Sequence, residues 1–203
     1  MACVLSGANL NFHSLRYISE RAELGERREA LLGVTIPERQ GEYLRFCKLI
    51  GDRAVTEFNY RVAGEKAHIF VGLALSGGDA ERGQILKLLR GGGYEVVDLT
   101  EDEIAKQHVR YMVGGRPQRE LRESVFAFEF PEAPGALRDF LVQLGTRWNI
   151  TLFHYRSYGT DYGRVLVAFE NVAGDELFAQ HVQDLGYECH EVTDSPAYKH
   201  FLA

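Results

Sequence analysis

Two stretches of the chain follow the same design, 94 positions apart. ALLGVTI, residues 30–36, places Leu32, Val34 and Ile36 on one face and runs into PERQGEY, residues 37–43. SVFAFEF, residues 124–130, does the same with Phe126, Phe128 and Phe130 and runs into PEAPGAL, residues 131–137. Period-two alternation predicts strands with one buried side. After each loop, apolar residues recur at i, i+3, i+4 and i+7: Tyr43, Phe46, Cys47 and Ile50, then Leu137, Phe140, Leu141 and Leu144. That spacing predicts an amphipathic helix in each copy, stopped by Gly51 and Gly145 in a left-handed conformation.

The correspondence continues through FNYR (58–61) and FHYR (153–156), now 95 positions apart because the second copy carries one extra residue. Hairpins through Gly64 and Gly159 lead to third strands at 67–75 and 162–170. Second helices follow, with Ile85, Leu88 and Leu89 in one copy and Leu177, Phe178, His181, Val182 and Leu185 in the other. Each copy then closes on a Gly-Tyr-Glu strand beginning at Gly93 or Gly186. Strand, helix, strand, strand, helix, strand is the ferredoxin-like βαββαβ order. The expected fold class is α+β, with two such units in tandem. One covers residues 27–101 and the other 122–203, joined by a linker at 102–121 marked by Gly114, Gly115 and Pro117. Residues 1–26 match neither copy; Phe12, Leu15 and Ile18 fall at helical spacing, too little to fold alone.

A net charge of −6 argues against a phosphate-tracking nucleic-acid surface and against an anionic membrane partner. No apolar run approaches the ~20 residues of a membrane span, and the N-terminus lacks a signal-peptide layout, so a cytoplasmic chain is expected. Cys3, Cys47 and Cys189 lie too far apart for a disulfide framework or a paired-cysteine metal site. The histidines form no ligand spacing, so no metal is expected, and no lysine lies in a cofactor motif. Ser6 lacks a nucleophile elbow. Gly91 to Gly93 fit a helix stop and turn better than a phosphate cradle. No catalytic residue is visible.

The loops remain. Helix N-termini carry unpaired N–H groups that favour an anion, and a glycine there admits close approach. An amino acid could dock its carboxylate at Gln40, Gly41, Glu42 and Tyr43, or at Glu132, Ala133, Pro134, Gly135, Ala136 and Leu137. Acceptors for its ammonium are Asn59, Glu57 and Glu132, and Tyr43, Leu137 and Leu141 offer an apolar wall. His154 is included because its counterpart is Asn59 and both precede a Tyr-Arg pair. The alternative is that Gly41 and Gly135 serve only a tight turn, with the repeats forming a ligand-free oligomerisation module. An RNA-binding module stacking bases on the FNYR and FHYR aromatics is a further alternative, disfavoured by the charge and by the absence of a basic, glycine-aromatic third strand.

Four motifs carry a resemblance: SGANLNFHSLRY (6–17), HVRYMVGGRP (108–117), FEFPEAPGAL (128–137) and LFHYRSYGTDYGRVL (152–166). Together they resemble the C-terminal regulatory region of biosynthetic threonine deaminases, also called threonine dehydratases or threonine ammonia-lyases, over essentially the whole chain. The resemblance implies two ACT-like subdomains that bind isoleucine as feedback inhibitor and valine as its antagonist. It also implies a homotetrameric pyridoxal-phosphate enzyme converting threonine to 2-oxobutanoate and ammonia. In that family the segment matching Ser6 closes the catalytic domain, with the serine against the cofactor's pyridine nitrogen. Residues 1–26 are therefore expected to be a remnant of that domain plus a connecting segment. The Schiff-base lysine and glycine-rich phosphate loop have no counterpart in this sequence, so the chain alone is expected to hold no cofactor and to be no enzyme. The expected partners are isoleucine, valine, the catalytic domain and further copies of the chain.

Overall fold

Alternating bulky residues and two amphipathic helices per repeat produce one continuous sheet covered by helices. The computed structural model describes residues 25–62, 64–112, 114, 116–117, 119–157 and 161–203, with 15, 18–19 and 21–22. Repeat 1 contains β1 (Glu29–Pro37), α1 (Glu42–Ile50), β2 (Val55–Arg61), β3 (Lys66–Ala74), α2 (Gly78–Gly91), β4 (Glu95–Asp98) and α3 (Glu103–Gln107). A 3-10 turn, Val109–Tyr111, leads to β5 (Glu123–Pro131), α4 (Ala136–Leu144), β6 (Ile150–Arg156), β7 (Tyr162–Glu170), α5 (Glu176–Asp184), β8 (Glu188–Glu191) and α6 (Pro196–Phe201). The chain is thus two tandem ACT-like βαββαβ units, as the sequence predicts.

The strands run β4-β1-β3-β2-β6-β7-β5-β8 in one eight-stranded sheet. Its centre is the antiparallel pairing of FNYR with FHYR, in which Phe58 faces Tyr155, Asn59 faces His154 and Tyr60 faces Phe153. One face carries the main core, where Phe46, Phe58, Phe128, Phe140 and Phe153 are all essentially inaccessible. Tyr43 contacts Phe58, Tyr60 and Phe153 at ring-centroid separations of 5.1 to 5.3 Å, tying the first helix to both repeats. Leu88 and Leu177 do not join this core; they are 41% and 58% exposed. Gly51 and Gly145 stop their helices at positive φ (68° and 76°), but with ψ of −144° and −163° rather than the left-handed helical value.

The segment read as a linker is more than a connector. Ala105 of α3 packs on Leu31 and Phe70 on the sheet's other face, while Tyr198 of α6 packs there on Val125, Leu152 and Ala168. Leu31 donates its N–H to the Thr100 hydroxyl at 3.2 Å, and Val125 donates to Thr193 at 2.9 Å, so the approach to α3 matches the approach to α6. Helices this short hold too few apolar positions to show a period, which is why sequence pattern missed both.

The same face buries two charged clusters. Arg110 reaches Glu57 at 3.0 Å and Glu29 at 3.2 Å, and the Thr56 hydroxyl donates to Glu29 at 2.5 Å. Arg61 crosses into repeat 2 to pair with both oxygens of Glu123 at 2.6 and 3.0 Å, where Tyr198 also donates at 2.7 Å. Each guanidinium and its carboxylates are almost fully buried, so neither cluster tolerates loss of one sign.

Candidate functional site

The two loops reach their helices through Gly41 (φ 87°, ψ −14°) and Gly135 (φ 82°, ψ −8°). Side chains other than glycine pay to adopt this left-handed conformation, so each glycine is required by the turn itself. Ligand approach is a separate question, decided by what each loop faces. Because β2 pairs with β6, each loop lies against the helix-to-strand turn of the opposite repeat. This makes two related clefts across the repeat boundary.

The first cleft, about 170 Å³, lies between PEAPGAL and residues 50–56 of repeat 1. Glu132, Ala133, Pro134, Gly135, Leu137 and Arg138 line one side, and Cys47, Ile50, Gly51, Arg53, Ala54 and Val55 the other. Thr56, Tyr155 and Ser157 complete it. The N-terminus of α4 and the C-terminus of α1 thus meet across the opening. Helix dipoles place partial positive charge at the former and partial negative charge at the latter, an arrangement complementary to a zwitterion. Arg53 and Arg138 add cationic groups near the rim. Arg53 donates to the Ile50 carbonyl at 2.7 Å, and Arg138 pairs with Asp52 and with Asp139.

Glu132 supplies the acid. One carboxylate oxygen accepts from the Ser157 hydroxyl, while Oε2 is buried and has no hydrogen-bond partner among the described residues. Burial, then the negative charge of Glu132, push the Tyr155 hydroxyl up to about 12, partly offset by its hydrogen bond with Ser157. A buried carboxylate oxygen left unmatched costs on the order of 1–3 kcal/mol. A cationic donor in the cleft would recover that cost. Cys47 is inert there, because burial pushes its thiol up.

The second cleft, between PERQGEY and residues 145–150, is only about 30 Å³. Gln40 donates to the Arg147 carbonyl at 2.8 Å and to the Thr146 carbonyl. The Tyr60 hydroxyl is satisfied by Glu38 at 2.8 and 2.9 Å. Burial raises the Glu38 carboxyl, with that hydrogen bond opposing the shift. Glu42 lies outside this lining; it accepts from Arg45 at 3.2 Å and from Tyr94 at 3.1 Å.

The structure separates other predicted site residues. Asn59, His154 and Glu57 project from the opposite sheet face, away from both loops. There neither side-chain amide atom of Asn59 has a partner among the described residues. His154 is depressed to about 4, by burial first and then by Arg156. Glu57 is raised to about 7 by burial against the opposing pull of Arg110 and Arg156. Leu141 lines the second cleft and not the first, and Ala136 lines neither. Gly91 to Gly93 end α2, where Gly92 donates to the Leu88 carbonyl and Gly93 to the Arg90 carbonyl. Ser6 lies outside the described residues. Sequence reading missed Cys47, Ile50, Arg53, Tyr155 and Ser157 as cleft residues, since only the pairing of β2 with β6 brings them to the loop.

A larger groove of about 610 Å³ runs between β8 and α5. Among the described residues its lining includes Asp175, Glu176 and Glu191 and no Lys, Arg or His, and the Asp175 carboxylate already accepts from the Leu177 and Phe178 N–H groups at the α5 N-terminus.

The family model described as the C-terminal regulatory domain of Threonine dehydratase matches residues 20–109 and 114–202. The chain is 62% identical over 204 residues to L-threonine dehydratase biosynthetic IlvA of Escherichia coli (strain K12), covering 100% of this chain and 40% of that protein. It is 42% identical over 209 residues to the mitochondrial threonine dehydratase of Saccharomyces cerevisiae, covering 98% of this chain and 36% of that one. Against the chloroplastic biosynthetic threonine dehydratase of Arabidopsis thaliana it is 37% identical over 203 residues, covering 98% and 34%. The chain spans about two fifths of the length of the first of these relatives.

Proposed function

The chain belongs to the family of C-terminal regulatory domains of threonine dehydratase, and from that premise we propose that it is an amino-acid sensor taking isoleucine in the cleft between PEAPGAL and the α1-to-β2 turn. The reading is carried by the buried Oε2 of Glu132, which has no hydrogen-bond partner among the described residues, in a cleft lined by opposed helix ends. The ammonium is assigned to Glu132 and the α1 C-terminus. The carboxylate is assigned to the first-turn N–H groups of α4 with Arg53 or Arg138, and the side chain to Ile50, Val55, Leu137 and Tyr155.

Valine, one methylene shorter, shares the polar contacts and fills less of the apolar wall; one methylene is worth about 1–3 kcal/mol in such a pocket. We assign it the antagonist's role, occupying the cleft without the same preference between arrangements of the repeats. A ligand shifts an equilibrium only by its differential affinity for the two states. A coupling of about 1–3 kcal/mol to a catalytic domain would be typical. The deamination of threonine, with its pyridoxal phosphate, is assigned to the part of the relatives that this chain does not span. Assembly with further copies and a cytoplasmic location, at least for bacterial forms, belong to the same proposal.

Calorimetric titration of the folded chain with isoleucine, valine and threonine tests it. Isoleucine should bind, valine more weakly in the same cleft, and Glu132→Gln should lower isoleucine affinity about tenfold, or ~1.4 kcal/mol. Absence of heat with both isoleucine and valine from cooperatively folding protein would refute the sensor reading.

A further inference from the structure

Helices α1, α2, α4 and α5 cover the core-bearing face of the sheet as one layer. In it α1 packs on α2 and on α4, and α5 is tied to α4 by the His181 ring on the Leu144 carbonyl at 3.1 Å. The outer surface of the layer is divided by sign. The exposed ionisable side chains of α1 and α2 are Arg45, Lys48, Lys87 and Arg90, all cationic, while those of α4 and α5 are Asp139, Glu176 and Asp184, all anionic. Arg45 and Asp139 pair within their own helices, with Glu42 and Arg138. Lys48, Lys87, Arg90, Glu176 and Asp184 have no ion-pair partner among the described residues. On a chain of net charge −6 the cationic half does not follow from composition. Clustered like charges repel one another in a lone copy, and a surface of opposite sign relieves that repulsion.

The anionic half also holds the groove between β8 and α5, with Phe126, Phe178 and Tyr187 in its lining beside Asp175, Glu176 and Glu191. Counted from the shared Gly-Tyr-Glu, Ala179 and Cys189 stand there in place of Leu86 and Val96, which pack against the core in repeat 1. Side-chain volume that fills the first repeat is therefore missing from the second. On the cationic half Leu88, between Lys87 and Arg90, is 41% exposed; on the anionic half Leu177, next to Glu176, is 58% exposed.

We propose that this helix layer is a docking surface for a second copy of the chain, two layers meeting face to face about a two-fold axis parallel to the β2–β6 seam. That axis sets α1 and α2 of each copy on α4 and α5 of the other, so both pairs of unlike halves match at once and the contact closes as a dimer. It brings Leu88 with its flanking cations to Leu177 and the acidic, aromatic groove. An axis across the seam would set like charges on like. The proposal rests on the assembly with further copies assigned above and is independent of the isoleucine site.

Sedimentation velocity on the ligand-free chain tests it. The wild type should run as a dimer. Lys87→Glu/Arg90→Glu reverses the cationic half at α2, and Glu176→Lys/Asp184→Lys reverses the anionic half at α5; each should weaken self-association at least about tenfold, with folding checked by circular dichroism. An equimolar mixture of the two variants should restore the dimer, because each reversed half then meets its complement. A monomeric wild type overturns the proposal and leaves the layer to a different protein. An association that either variant leaves unchanged overturns it as well, as do two monomeric variants that fail to join on mixing. If a reversed variant does not fold, Lys87→Gln/Arg90→Gln is read instead, and association as strong as that of the wild type overturns the proposal. Calorimetry with isoleucine is read separately: a monomer that binds it overturns the dimer alone, and a dimer that binds neither isoleucine nor valine overturns the sensor reading alone.

Discussion

The two clefts are built from the same secondary structure in the same order, with left-handed glycines at matching places, and differ fivefold or more in free volume, about 170 against 30 Å³. What separates them is side-chain bulk and one inserted residue. Tandem repeats preserve backbone geometry because the sheet requires it, while the surfaces between them are free to diverge. A repeated loop therefore identifies a place where a site can exist, and the opposing turn decides whether it does. The buried charge clusters on the far sheet face show the opposite behaviour: both repeats keep a guanidinium on the Glu at the start of the first strand, although Arg110 supplies it in one and Arg61 in the other.

That contrast can be broken experimentally. Arg110→Met and Arg61→Met should each cost about 3–5 kcal/mol in urea denaturation, since each strands at least one buried carboxylate. A loss below ~1 kcal/mol for either would end the claim that the two clusters are equivalent. His154→Asn places the first repeat's residue in the second. A histidine held below its usual range contributes stability that is present above pH ~6.5 and lost as pH falls through about 4. The wild type should therefore lose up to ~3 kcal/mol between those values from this group, and the variant should not. Glu57, raised to about 7 by burial, acts with the opposite sign. Its contribution is full below the ordinary carboxylate range and declines as pH rises through about 7, so thermal melts at pH 7 and pH 4 on both proteins isolate the histidine.

Gly41→Val and Gly135→Val should each cost about 1–2 kcal/mol, the penalty for a left-handed L-residue. Only the second should also weaken isoleucine binding, because Gly135 lines the open cleft and an added Cβ there sits 3.1 Å from Asp52, the ion-pair partner of the cleft residue Arg138. Equal loss of affinity in both variants would contradict the single open site. The smallest expected effect is that of Glu38→Gln, which should change isoleucine affinity less than about twofold, against about tenfold (~1.4 kcal/mol) for Glu132→Gln.

Much of the fold was readable from sequence because the six longer strands and four longer helices carry apolar spacing, and because the repeat lets each copy confirm the other. The short helices α3 and α6 were not, so residues 102–121 read as a linker although Ala105 and Arg110 are buried. Of the residues that line the open cleft, Glu132 to Gly135 and Leu137 were readable as a helix-terminus loop. Arg53, Tyr155 and Ser157 were not, since their proximity depends on a strand pairing between repeats that no local pattern encodes. Asn59 and His154 were drawn in by sequence adjacency to the Tyr-Arg pairs, yet strand alternation sends them to the other face.

An isoleucine-bound structure of this chain tests the central claim most directly. The account predicts one ligand per chain, its ammonium on Glu132 and its carboxylate at the α4 N-terminus, with Trp148 still lining a closed second cleft. Isoleucine found against Gln40 and Tyr43, or at neither loop, would contradict it.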